Sequence, residues 1–480
     1  MGAIPRRARQ NEATLCGPVS HSSHTERNVL STDHNEKSKL ARARAISGFP
    51  EFLPEFRAIE VRWLDGIRDV FESYGYSSIE TRSVEEIETI ASKGEDADKE
   101  IYTLGRLAAT DRDGNDPRMA LHFDMTIPFA RYVAQNYQHL TFPFKRYQIQ
   151  KAWRGERPQE GRFREFTQCD IDVIDNGRIS LNFDAEMPVV MAKALERMDI
   201  GPVEIRMNNR KILQGFYLGV GIAEPLSAIR VVDKLEKIGP ESVKDSLITK
   251  LNITPQAAEA CLRLAEIKVG DLSFPQRVRE LGVENPLLDE GMDELTTVMA
   301  AVLTNPTRNC APFVDISIAR GLDYYTGTVY EVKFSDYPEY PTICGGGRYE
   351  NLAGNFVRQK LPGVGISIGL TRIFTKLLKE QKITRGAQCP TDVMVVFLPG
   401  NNRETLTAIS SQLRDRGLNV ETYHDQIHLD KQLRYASRKR IPYVWFAGSG
   451  GNAVHEVRNM ESGEQSPADP ASWQPQPSGG

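Results

Sequence analysis

Two stretches with strand character, 144–154 and 163–174, flank the short Pro- and Gly-containing loop 158–161, and this arrangement limits the fold more than any other feature of the chain. Two such segments joined across a loop of that kind form an antiparallel hairpin. On the second segment Gln168, Asp170 and Asp172 share one face, and Cys169, Ile171 and Val173 the other. Around the loop gather Arg154, Glu156, Arg157, Arg162 and Arg164, a charge cluster that is costly unless it binds something anionic.

The hairpin sits in a longer pattern. Ile59, Trp63, Ile67, Val70, Phe71 and Tyr74 recur at three- and four-residue steps, which predicts a helix from residue 54 that stops at Gly75. Short strands are expected at 76–81 and 119–123. Between 211 and 305 the pattern turns helical, and strand signals return at 313–318, 329–334 and 363–368, the last running into a helix at 370–378. Strands on both sides of a helical block predict an α+β catalytic domain over 46–385, with a helical insertion at about 211–305. Beyond a polar connector, strands alternate with helices over 386–460, which indicates a small α/β domain with a mainly parallel sheet. Residues 1–45 read as a disordered extension and 461–480 as a polar tail.

Composition excludes several classes. The 480 residues are 40% hydrophobic and 26% charged, ordinary values for a globular protein, and no apolar run approaches the ~18 residues a membrane helix needs. Arg6, Arg7 and Arg9 are followed by no hydrophobic stretch, so no secretory signal is expected. The six cysteines form no CxxC pair and the eight histidines no HExxH, which argues against a zinc site or a disulfide framework. Cys169 and Cys344 are expected to be buried reduced thiols of a cytosolic protein. A net charge of −4 speaks against nonspecific coating of nucleic acid but says nothing about a local basic surface.

Residues 153–172, Trp-Arg-Gly-Glu-Arg-Pro-Gln-Glu-Gly-Arg-Phe-Arg-Glu-Phe-Thr-Gln-Cys-Asp-Ile-Asp, resemble motif 2 of the class II aminoacyl-tRNA synthetases in the form found in the histidyl-tRNA synthetase family. Residues 319–329 and 344–350 resemble the two histidine-specific motifs of that family, and 363–372 are similar to class II motif 3. The four motifs stand in family order. The resemblance implies a class II catalytic domain, an antiparallel sheet flanked by helices, followed by an anticodon-binding α/β domain. It also implies a cytoplasmic homodimer, without membrane attachment, that activates L-histidine with ATP and Mg²⁺ to histidyl-adenylate and pyrophosphate and then charges tRNA(His). The attacking carboxylate is already ionised at pH 7, so no general base is needed, and arginines suit the charge that develops at the α-phosphate.

Residue by residue, the resemblance makes Arg320 and Arg154 the catalytic pair. Arg154 would meet the α-phosphate and the substrate carboxylate, and Arg320 would take part of the role that a metal ion has in related synthetases. Glu156 would address the adenine edge, Phe166 one adenine face, Arg162 the outer phosphates, and Arg372 the other face and the γ-phosphate. Asp172 can accept from an imidazole N–H, with Tyr324 or Tyr325 at the other ring nitrogen. Gln168 and Asp124, beside Met125 and Thr126, can hold the α-ammonium. No ligand of Mg²⁺ is assigned. In the C-terminal domain Lys431, Gln432, Arg434, Tyr435 and Arg438 are the expected anticodon contacts, through basic groups and a stacking ring.

Taken singly, each residue has a plainer explanation as a strand-edge tyrosine, a solvated aspartate or a solvated helix face. Asp124 and Asp172 stand where many family members carry Glu, and Ser83 stands where class II enzymes generally place a dimer-interface proline. The alternative is a catalytically silent paralogue that senses histidine or tRNA or regulates histidine biosynthesis. Such a protein is expected to lose the second arginine motif or the anticodon domain, yet Arg154, Arg320, Arg372 and that domain are all present. A threonine or proline enzyme conflicts with both histidine-specific motifs.

Overall fold

In the computed structural model of the chain the described residues are 42–90, 100–105, 118–319, 325–351, 353–354, 356–386, 388–448 and 454–475. Residues 1–45 form one unit, of which 42–45 are exposed coil, and Ile46–Gly480 form the other.

In the larger unit the strands of the catalytic part are β1 (Ser77–Ser78), β2 (Val84–Glu86), β3 (Thr103–Leu104), β4 (Met119–Leu121), β5 (Phe144–Trp153), β6 (Glu165–Ile174), β7 (Val203–Asn209), β8 (Lys268–Val269), β9 (Cys310–Asp315), β10 (Tyr325–Phe334), β11 (Cys344–Tyr349) and β12 (Gly363–Ile368). Nine of them make one sheet in the order β1-β5-β6-β12-β11-β10-β7-β9-β8. The expected hairpin is its backbone, with β5 and β6 antiparallel in register from Phe144 opposite Ile174 to Trp153 opposite Glu165. Only the β1–β5 and β7–β9 pairs are parallel. The glycines of β11 permit its close packing between β10 and β12: a Cβ on Gly346 would lie 2.1 Å from the Gly365 carbonyl oxygen.

The helix Pro54–Ser73 ends before Gly75, whose φ of +78° suits glycine. It packs with the helix Leu181–Met198 on the sheet, so that Ile67, Phe71, Met187 and Leu195 share one core with Ile171 and Val173. Cys169, Cys261 and Cys344 are buried free thiols.

The structure departs from the sequence reading in two places. First, β7 was not expected, and it carries the helical stretch into the sheet. The helices Arg210–Gly219 and Pro286–Thr304, which bound that stretch, cross at two glycines: a Cβ on Gly215 would lie 2.3 Å from Leu288 N, and one on Gly291 2.7 Å from Ile212 N. Both helices also pack on β7 and β10. Its ends therefore belong to the sheet domain. Glu204, Arg206 and Asn208 alternate with the buried Val203, Ile205 and Met207, a period-two signal that the sequence reading passed over, and Asn208 is itself buried and donates to the carbonyls of Ile316 and Ile318 at 3.1 and 2.7 Å.

Second, residues 461–475 are not a free tail. The C-terminal strands are β13 (Val393–Val395), β14 (Val420–Thr422), β15 (Tyr443–Phe446), β16 (Glu456–Asn459) and β17 (Gln465–Pro467), in the sheet order β14-β13-β15-β16-β17. β13 runs parallel to β14 and β15, whereas β17 closes an antiparallel edge on β16. Trp473 then packs edge-on against Tyr443 and Trp445 at 5.1 and 5.7 Å. An edge strand needs backbone partners and one large anchor rather than an apolar pattern, so its composition hid it. Among the described residues no helix is long and apolar enough to cross a membrane.

Candidate active site

The hairpin loop, β11, β12 and the start of the helix Leu370–Lys379 enclose a cleft of about 200 Å³ whose lining includes Arg154, Glu156, Arg162, Phe166, Gln168 and Arg372. Arg154 follows directly on β5. Its guanidinium lies 4.5 Å from the Phe123 ring centre and 5.0 Å from that of Phe166, and its Nε donates to the Phe123 carbonyl at 3.3 Å. Planar stacking of this kind fixes the direction of the fork. Arg162 pairs with Glu156 at 2.8 Å on the rim, where exposure makes the pair worth little to stability.

Arg372 locks this side of the cleft. Its Nε donates to the Gly161 carbonyl at 2.7 Å, its Nη1 donates to the Thr342 carbonyl, and its own carbonyl accepts from the Tyr340 hydroxyl at 3.0 Å. Burial pulls its pKa below the ordinary guanidinium value, and the positive charges of Arg154 and Arg162 act in the same direction, against Tyr340 and Glu156. Three guanidiniums thus face one cleft with little negative charge to offset them, an arrangement suited to a polyanion. The clamping carbonyls of Gly161 and Thr342 carry no signal in the sequence.

The wall toward the sheet suits an amino acid. Gln168 donates from Nε2 to Ser367 Oγ at 2.5 Å, while its Oε1 is buried with no hydrogen-bond partner. Four residues on and on the same face, Asp172 is buried, 2.6 Å from Arg146 Nη2, and accepts from the Tyr349 hydroxyl at 3.1 Å. The expected free acceptor is therefore half of an ion pair, although a carboxylate has lone pairs left for a further donor. Burial pushes the Asp172 carboxyl up to about 6 and that of Asp170 up to about 7, with Arg146 opposing both. Arg146 is itself wholly buried and lies 4.2 Å from the Phe129 ring. Sequence reasoning passed over it; its signal is an arginine on β5 directly opposite Asp172 on β6.

Asp124 Oδ1 accepts from the backbone N–H groups of Thr126 and Ile127 at 3.1 and 3.2 Å, which caps the first turn of the helix Thr126–Asn136. Its charge raises the pKa values of Asp170 and Asp172. Met125 is fully buried and Thr126 half-buried. Tyr325 opens β10 opposite Tyr349 on β11. Arg320 and Tyr324 lie outside the described residues. Ser83 Oγ accepts from Gln150 Nε2 at 3.1 Å.

On the C-terminal helix Leu429–Lys439, Lys431, Arg434 and Arg438 are exposed. Gln432 is buried: its Oε1 accepts from Phe397 N at 2.9 Å and its Nε2 donates to the carbonyls of Phe397 and Ile427 at 2.7 and 2.8 Å. It staples the helix to the sheet instead of facing a base. Tyr435 donates to Glu421, which also accepts from Lys439 at 2.7 Å.

With this geometry in view, the comparisons with known proteins agree. A family profile for histidyl-tRNA synthetase matches residues 48–373, and one for an anticodon-binding domain matches residues 392–472. The chain is 55% identical over 437 residues to the histidine–tRNA ligase of Thermobifida fusca (strain YX), covering 91% of this chain and 99% of the relative. It is 46% identical over 451 residues to that of Micrococcus luteus, covering 91% and 97%. Among solved structures, the histidyl-tRNA synthetase of Nostoc sp. PCC 7120 superposes with a TM-score of 0.80 at 38% identity, covering 89% of this chain and 97% of that one.

Proposed function

The chain belongs to the histidyl-tRNA synthetase family, and from that premise we propose a histidine–tRNA ligase that forms histidyl-adenylate and pyrophosphate from L-histidine and ATP, then transfers the histidyl group to the 3′ end of tRNA(His). The observation that carries this reading is the convergence of Arg154, Arg162 and Arg372 on a cleft that also holds the unpartnered Gln168 carbonyl. One end of the cleft suits triphosphate and the other an α-ammonium.

In the first step a carboxylate oxygen of histidine attacks the α-phosphorus and the bond to the β-phosphate oxygen breaks. Arg154 bridges the substrate carboxylate and the α-phosphate, and Arg320 stabilises the same developing charge. Arg162 and Arg372 hold the outer phosphates. Phe166 offers a face to adenine and Glu156 its edge. Asp124 and Gln168 receive the α-ammonium, while Asp172 with Tyr324 or Tyr325 receives the ring. Among the described residues no group of three His, Cys, Asp or Glu side chains is arranged to hold a metal; Mg²⁺, which binds largely through phosphates and water, enters with ATP. In the second step the basic face of Lys431, Arg434 and Arg438, beside Tyr435, engages the tRNA. The enzyme works in the cytoplasm as a homodimer. Near full-length likeness to ligases favours this reading over a silent paralogue.

The test is ATP–pyrophosphate exchange with each standard amino acid, on the intact chain and on Arg320→Ala. Exchange with histidine alone, strongly reduced in the variant, is the expected result. A chain that binds histidine without exchange would instead be a sensor.

A further inference from the structure

Resting on the reading that Asp172 receives the histidine ring, we propose that Arg146 and Tyr349 are positioning residues that hold the Asp172 carboxylate for a ring N–H, and so set the preference for histidine over amino acids whose ring lacks that donor. Arg146 on β5 and Gly365 on β12 stand directly opposite Asp172, one on each side of β6. The Arg146 guanidinium lies 2.6 Å from Asp172 Oδ2, and the Tyr349 hydroxyl donates to Oδ1 at 3.1 Å.

Two glycines of β12 complete the seat. A Cβ on Gly365 would lie 2.0 Å from Asp172 Oδ1, and one on Gly363 2.4 Å from the Tyr349 ring. The carboxylate is thereby fixed at both oxygens and bedded against β12. Two of its four lone-pair sites are taken, and the others remain for a donor on the face it shares with Gln168.

Stability alone does not account for Arg146. It is wholly buried, and among the described residues none of its guanidinium nitrogens has a partner in hydrogen-bond geometry; its close neighbours are the Asp172 carboxylate, as an ion pair, and the Phe129 ring at 4.2 Å. A buried pair of this kind often leaves a protein no more stable than apolar residues of the same volume would. What the pair supplies is a carboxylate whose direction is set before a ligand arrives. Burial pushes Asp172 up to about 6, with Arg146 and Tyr349 opposing the rise and Asp124 adding to it. At pH 8 the carboxyl is therefore ionised and the imidazole uncharged, so the ring is recognised through a donated N–H.

The probe is thiazolylalanine, in which sulfur takes the place of one ring nitrogen, so that the ring has no N–H to give. Histidine-dependent ATP–pyrophosphate exchange at pH 8 yields the histidine KM and the thiazolylalanine Ki for the full-length wild type, Tyr349→Phe, Arg146→Met and Arg146→Lys, with thermal melts to identify the folded proteins. Tyr349→Phe removes a single hydroxyl and carries the test if Arg146→Met does not fold. Both of these variants are expected to raise the histidine KM by roughly tenfold or more, the range for a hydrogen bond to a charged group. The thiazolylalanine Ki and the ATP KM stay near wild type, so the preference for histidine falls by the same factor. Arg146→Lys, which keeps the charge, recovers part of what Arg146→Met loses. An unchanged preference in either variant that folds, through equal shifts or none, overturns the proposal while the exchange reaction stands. A wild type without histidine-dependent exchange overturns the ligase reading itself.

Discussion

The guanidinium of Arg146 and the carboxylate of Asp172 form an ion pair at 2.6 Å with both side chains buried. Arg146 is also the positive charge that opposes the burial of Asp170. Removing one member of such a pair strands the other, which typically costs about 3–5 kcal/mol. Arg146→Met is therefore expected to lower stability by about that amount in urea unfolding. Arg146→Met with Asp172→Asn should recover part of the loss, because the stranded charge is gone. Equal stability of the single and double variants would show that Asp172 does not need this partner.

Asp170 makes stability depend on pH with a definite sign. Its carboxyl has an ordinary value of 3.8 and is raised to about 7 in the folded chain, mainly by burial. The folded state thus binds the proton more tightly, and this contribution, complete below the ordinary value, is lost as pH rises through about 7. Asp170→Asn carries no such titration. The melting temperature of the variant relative to wild type should therefore be higher at about pH 8 than at about pH 5, whatever its absolute value. A difference that is flat or falls with pH would mean that burial does not govern this carboxyl.

Much of the catalytic sheet was legible because β5 and β6 are long, β6 alternates over residues 168–173, and the two meet across a loop with turn chemistry. The same period placed Gln168, Asp170 and Asp172 on one face. The hairpin places β5 beside β6 but not the register that sets Arg146 opposite Asp172, and that β12 lies on the other side of β6, with Ser367 opposite Asp170, emerged only from the sheet order. β7 does alternate, with Val203, Ile205 and Met207 set against Glu204, Arg206 and Asn208, and was passed over as a short run at the edge of a long helical pattern. Gln432 was grouped with its basic neighbours because charge runs are visible in a sequence and the inward face of a short polar helix is not.

Arg372 performs two tasks that a lysine cannot combine. It bridges the carbonyls of Gly161 and Thr342, on the hairpin loop and ahead of β11, while placing positive charge beside Arg154 and Arg162. An ammonium lacks the planar fork that makes such a bridge. Arg372→Lys should raise the ATP KM and slow histidine-dependent exchange by roughly 10²-fold, as loss of one preorganised charge donor typically does. Retention of wild-type exchange by the lysine variant would show that charge alone suffices and that the bridge is dispensable.

The helix Leu429–Lys439 offers the cleanest separation of binding from folding, because residues two positions apart differ in burial. Arg434 is exposed and its Nε donates only within its own helix, to the Asp430 carbonyl at 3.2 Å, whereas Gln432 is buried and holds Phe397 and Ile427. If Arg434 meets a tRNA phosphate, Arg434→Ala raises the tRNA KM and lowers the slope of log affinity against log salt by about 0.7–0.9, the share of one phosphate. Its melting temperature stays at the wild-type value. Gln432→Ala does the reverse: it strands the Phe397 amide and carbonyl and costs about 1–3 kcal/mol of stability, with unchanged salt dependence in whatever fraction remains folded. Aminoacylation titrations over a range of salt, set beside thermal melts of the same two proteins, distinguish the cases. An Arg434→Ala protein with wild-type tRNA affinity and salt slope would remove this helix face from the tRNA interface.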